Sequence, residues 1–196
     1  MSAPGIKATA GLADALRINH GTWRGWVRHL LGMVALGAGR LARFQVADPV
    51  RAQRLVFVCL GNINRSAFGA AVARELGLPS VSIGLSTTRG APATPEATLQ
   101  ARCQRIDLST HQATPREDYV HQAGDVLLVM EVRHAHRLLE HGVPASAIAF
   151  LGLWGTPCRV HLHDPHTLSA DYFASCFALI ESAVRRIAAA RQSAGT

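Results

Sequence analysis

The chain has 196 residues, 48% of them apolar and 17% charged, which excludes a chain disordered throughout and suffices for one sizeable α/β domain plus an extension. The formal net charge of +7 is uneven: residues 1–54 carry Lys7 and seven arginines against Asp14 and Asp48, a net +6, and everything after them only +1. The body of the chain therefore lacks the basic footprint of a nucleic-acid binder. Four cysteines (Cys59, Cys103, Cys158, Cys176) show no CxxC pair and no Cys/His metal spacing, as expected of a cytoplasmic chain and not of a secreted disulfide framework.

In chain order, residues 1–20 are small and polar and read as a mobile start. Segment 20–44 reads as a helix, with Trp23, Trp26, Val27, Leu30 and Val34 at helical spacing and Arg24 and Arg28 on another face. Its charge-free run, 29–39, is too short to span a bilayer. The long basic stretch with two tryptophans ahead of that run does not fit a signal peptide. Residues 47–53 are a connector.

From there strands and helices alternate. RLVFVC (54–59) is an apolar run read as a buried strand, and 66–77 is a helix closed by Gly77 and Pro79. A second strand (80–86), a helix (96–105) and a turn-rich connection (107–115) follow. DVLLVM (125–130) is the third strand, 131–142 a helix and 147–152 the fourth strand. A last amphipathic helix covers about 171–190. Cys103 and Cys176 fall within helix patterns and read as core residues. The expected fold is α/β, a four-stranded parallel sheet flanked by helices on both faces, with a basic, tryptophan-containing helical extension over 1–50 and the domain over 51–196. Ligands of such sheets sit outside the carboxyl ends of the strands.

Cys59 stands at that end of the first strand, at the head of CLGNINRS. Gly61 allows a turn that a Cβ would hinder. The following helix start offers unsatisfied N–H groups and the positive end of its dipole, a ready anion site. Arg65 adds a planar fork suited to two phosphate oxygens. A cysteine in such a field is favoured as the nucleophilic thiolate. Phosphoryl transfer to sulfur also needs an acid for the leaving oxygen. Asp164, in HDPH (163–166), lies after the fourth strand at the same end of the sheet.

VCLGNINRS, DVLLVM and HDPH, in this order and on these elements, resemble the low-molecular-weight protein tyrosine phosphatase family over about residues 53–190. The resemblance implies that Cys59 is the nucleophile of a phosphocysteine intermediate, that Arg65 clamps the phosphate, and that Asp164 is the general acid and later the base. It further implies a phosphate cradle of Leu60, Gly61, Asn62, Ile63, Asn64, Arg65 and Ser66, in which Asn62 holds the strained loop and the Ser66 hydroxyl steadies the sulfur. No metal and no organic cofactor are implied. Departures are present as well. Asn64 stands where the family carries a second loop cysteine, Ala67 where it has proline, and His166 where an aromatic follows Asp-Pro. Thr87 and Thr88 stand where another pocket wall is often aromatic, so Thr88 and His166 are the expected substrate-pocket residues. Arsenate reductases share the scaffold but need resolving cysteines, and Cys158 is the only loop cysteine near the acid. A non-hydrolysing phosphate-binding module is the other alternative. Ile63 disfavours phosphoarginine, which goes with a small polar residue at that position. The implied partners are a phosphorylated protein and, as in relatives that serve polysaccharide export, a membrane tyrosine kinase. The N-terminal arm has three readings: a helix packed on the domain or on a second subunit, an interfacial anchor at the inner membrane surface, and an arm over the mouth of the active site.

Overall fold

A computed structural model describes residues 11–194. Six helices, α1 (Leu12–His20), α2 (Trp23–Gly37), α3 (Arg65–Glu75), α4 (Pro95–Cys103), α5 (Val132–Glu140) and α6 (Ala170–Ala194), surround four strands, β1 (Arg54–Cys59), β2 (Ser80–Gly84), β3 (Asp125–Val129) and β4 (Ile148–Phe150). The strands form one parallel sheet in the order β2-β1-β3-β4. Apolar runs such as LVFVC and VLLV suit its two central strands, which are covered on both faces.

Alternation along β1 divides the core. Leu55, Phe57 and Cys59 face α3, α4 and α6, whereas Val56 and Val58 face α5 and the turn that buries Leu41 and Phe44. Helix α3 lies so close to β1 that a Cβ on Gly69 would come 2.6 Å from the Phe57 ring. Phe68 stacks on Phe177 of α6, with ring centroids 4.0 Å apart.

The expected sheet and flanking helices are present, but the arm differs from its reading. Part of the segment read as mobile is helix α1, which packs along α6; residues 1–10 lie outside the described residues. The single helix expected over 20–44 is broken after His20 by Gly21, whose φ of 74° reverses the chain. Thr22 then caps α2, its Oγ1 accepting from Gly25 N at 3.0 Å. The apolar stripe of α2 points outward: Trp23, Leu31 and Val34 are 64%, 62% and 61% exposed, and Trp26 and Leu30 are exposed too. Its docked side carries the buried Gly25 and Gly32, with Met33, Ala35 and Leu36 partly buried against the core. Cys103 is exposed at the end of α4, not in the core; Cys176 is buried as expected.

Candidate active site

The carboxyl end of β1 runs directly into the loop 60–64, and α3 begins at Arg65. Cys59 Sγ is approached by two donors: Asn62 N at 3.2 Å and the Ser66 hydroxyl at 2.9 Å. Asn62 Nδ2 donates to Ser66 Oγ at 2.8 Å, which leaves the hydroxyl hydrogen free to point at sulfur.

Asn62, not Gly61, takes the left-handed backbone in this loop, with φ 51°. A Cβ on Gly61 would meet only the Ile63 side chain, at 3.3 Å. The strain at Asn62 is held by its surroundings: its Oδ1 accepts from Thr114 N at 2.9 Å and its carbonyl accepts from His111 Nε2 at 2.6 Å. Burial lowers the His111 pKa below the ordinary histidine value, which favours the neutral ring. Thr87 Oγ1 adds a bond to Gly61 O at 2.6 Å. Gly84, at the end of β2, lets the loop pass, since a Cβ there would lie 3.0 Å from Asn62 Cβ and from Leu60 O.

Arg65 is fully buried, and its bonds fix the guanidinium plane. Nη1 donates to Glu131 Oε1 at 2.6 Å and to Leu162 O at 2.7 Å, and Nη2 pairs with Asp164 Oδ2 at 2.7 Å. Among the described residues the buried Nε has no hydrogen-bond partner. Burial alone would lower the Arg65 pKa, but the Asp164 and Glu131 carboxylates outweigh it and hold the group above its ordinary value. For Glu131 the balance is mirrored: burial pushes up, Arg65 pulls harder, and the carboxyl is held well below the usual range. Two further histidines pack around Glu131. His134 is lowered to about 3 and His161 to about 4, by burial first.

Cys59, Leu60, Gly61, Ile63, Asn64, Arg65, Ser86, Asp164 and His166 line a cavity of about 140 Å³. Asn62 and Ser66 lie buried beneath it. Thr88 does not belong to the wall: the Thr87 side chain turns in to Gly61 O, the next residue faces solvent, and Ser86 takes the place expected for it. Asn64 accepts from Thr94 Oγ1 at 2.7 Å through Oδ1, so a hydrogen bond stands where the family has a thiol. None of Cys103, Cys158 and Cys176 lines the cavity. Burial pushes the Cys176 thiol up to about 12. Glu131, His111, Thr114 and Ser86 were missed in the sequence, where the first looked like a helix start, the next two like polar residues of a turn-rich connection, and Ser86 like the end of the second strand.

A strand end, a loop that opens onto a helix, a sulfur and a carboxyl group thus meet on one small cavity. The sequence model of the low molecular weight phosphotyrosine protein phosphatases matches residues 54–194, and the chain belongs to that family. It is 30% identical over 141 residues to the low molecular weight protein-tyrosine-phosphatase Wzb of Escherichia coli K12, covering 69% of this chain and 93% of that protein. It is 35% identical over 134 residues to the probable phosphatase EpsP of Ralstonia solanacearum, covering 66% and 90%. Among solved structures, Vibrio vulnificus Wzb in complex with benzylphosphonate superposes with a TM-score of 0.62 at 26% identity, over 70% of this chain and 98% of that one. The arginine phosphatase YwlE of Geobacillus stearothermophilus shares the fold, with a TM-score of 0.63 at 21% identity over 72% and 94%.

Proposed function

We propose that the domain over 51–196 hydrolyses phosphotyrosine in proteins through a phosphocysteine intermediate. The observation that carries the reading is the convergence of Cys59, Arg65 and Asp164 on one small cavity. Cys59 attacks phosphorus as the thiolate; Arg65 and the loop N–H groups hold the equatorial oxygens. Once the phosphate takes Arg65 Nη2 from Asp164, the freed carboxyl group carries a proton, which it gives to the leaving tyrosine oxygen as the P–O bond breaks. The same carboxylate then takes a proton from water, which attacks the phosphocysteine and releases phosphate.

A phosphate-binding module would need neither sulfur nor acid, and a reductase would need a second thiol at the cavity. The partner is a phosphorylated protein, with a membrane tyrosine kinase as the candidate that the family resemblance suggests. The outward apolar stripe of α2 and the arginines around it support a place on the cytoplasmic surface of the inner membrane. No helix among the described residues is long and apolar enough to cross a membrane.

The test is hydrolysis of aryl phosphates from about pH 4 to 8 by the wild type, Cys59→Ser and Asp164→Asn. The first change abolishes turnover. The second reduces it by about 10²-fold or more, the usual contribution of a positioned acid. A wild type that binds vanadate yet turns nothing over leaves only a binding module.

A further inference from the structure

The segment bearing Asp164 is fixed from the domain side by backbone bonds. Leu162 N donates to Met130 O at 2.9 Å, Leu162 O accepts from Arg65, and His163 O accepts from the Tyr172 hydroxyl at 3.0 Å. The His163 ring points the other way, toward the N-terminal arm. Its Nε2 lies 3.3 Å from Thr22 Oγ1, and its Nδ1 lies 3.4 Å from His161 Nε2, with the two imidazoles stacked.

The arm touches this loop at its start, at His163 beside the acid, and at its end. Where the loop begins, Arg159 donates to the carbonyl of Asn19 at the end of α1, and Gly32 of α2 faces Val160, which a Cβ would approach to 3.1 Å. At the middle, Gly25 faces the His163 ring, which a Cβ would approach to 3.0 Å. Where the loop ends, Gly21 packs on Leu168 and Tyr172. The arm lies outside residues 54–194, the span matched by the family.

We infer that the arm is a brace for the general acid, and that Thr22, Gly25 and His163 are positioning residues acting through Asp164. The inference rests on Asp164 serving as the acid. A proton donor must meet the leaving oxygen within hydrogen-bond reach, and a misplacement of about 1 Å can cost about 10²-fold. Gly25 serves both contacts: a Cβ there would lie 2.2 Å from His20 O in the arm's own turn and 3.0 Å from the His163 ring, so the missing side chain lets the turn close and the helix rest on the imidazole.

The test uses full-length Thr22→Val and Gly25→Ala. Thr22→Val removes the oxygen facing His163, while Gly25→Ala drives a methyl toward the ring and toward His20 O, 2.2 Å from the new Cβ. For each, kcat/KM is measured on aryl phosphates whose leaving phenols span acidic to tyrosine-like, together with vanadate affinity and a thermal melt. A weakened acid must show as a steeper dependence on the leaving group: about tenfold or more lost on the tyrosine-like phenol, little lost on the most acidic one, and vanadate affinity within about threefold of wild type. Equal losses on every phenol, or none, overturn the brace while leaving the phosphatase reading intact. If Gly25→Ala fails to fold, Thr22→Val, which adds no bulk, decides the question by the same slope. A wild type without hydrolysis on any phenol defeats the phosphatase reading itself.

Discussion

Replacing Glu131 by Gln tests whether the clamp on phosphate is held by a buried counter-charge. Arg65 and Glu131 are each 1% exposed, whereas Asp164, the other carboxylate on the guanidinium, is 30% exposed and so screened by water. Glu131→Gln keeps the shape and one acceptor but removes the negative charge, which leaves a buried cation facing Leu162 O and a screened carboxylate. Breaking a buried pair from one side costs about 3–5 kcal/mol, a large part of a typical domain's stability. Urea unfolding in phosphate-free buffer reads this loss. Inorganic phosphate then supplies the missing negative charge from the cavity side, so it should stabilise the variant more than the wild type. Arg133, which pairs with Glu131 at 2.8 Å, is half exposed, so water solvates it once the carboxylate is gone and the unpaired buried charge is that of Arg65. A loss below about 1 kcal/mol, or the same gain from phosphate in both proteins, would refute the argument that Glu131 neutralises Arg65.

Two further outcomes follow from burial and from the surface. His134 and His161 have folded values of about 3 and 4 against an ordinary 6.5, so the unfolded chain binds more protons between those limits. Stability is therefore flat above about pH 6.5 and falls as pH drops below it, by about 2 kcal/mol per histidine at pH 5 on about 1.4 kcal/mol per unit. Urea midpoints across that range, with His134→Leu as the comparison, check the sign; a midpoint independent of pH would contradict it. On the arm, full-length protein should sediment with vesicles rich in anionic lipid and not with neutral ones. Trp23→Ser with Leu30→Ser should abolish this without changing hydrolysis of soluble aryl phosphates, and equal partition to both vesicle types would remove the membrane assignment.

The sheet was legible because β1 and β3 are apolar runs that only a doubly covered strand needs, and the cradle because CLGNINRS falls between such a strand and a helix. Glu131 was not. It reads as the first residue of a helix, and its meaning comes from the β1–β3 pairing, Val58 beside Val129, which sets the ends of the two strands side by side. His111 and Thr114 were hidden for a similar reason: the connection after α4 runs beside the end of β2, where Gly84 N donates to Thr114 O, and so reaches Asn62. The arm packs on the domain, one of its three readings, but not by the face that the spacing picks out. Trp23, Trp26, Leu30 and Val34 stay exposed, whereas the docked side carries the buried Gly25 and Gly32 beside the partly buried Met33, Ala35 and Leu36, and glycines have no apolar side chain for periodicity to register.

That inversion has a geometric consequence. The glycine-bearing side of α2 rests on the loop of Asp164, and the exposed tryptophans look away from it. A helix with its side chains is about 10–12 Å thick. Whatever surface the tryptophans lie on is thereby kept about one helix thickness from the acid's loop. The loop that carries the acid is thus spaced from that outward face by the diameter of a single secondary-structure element.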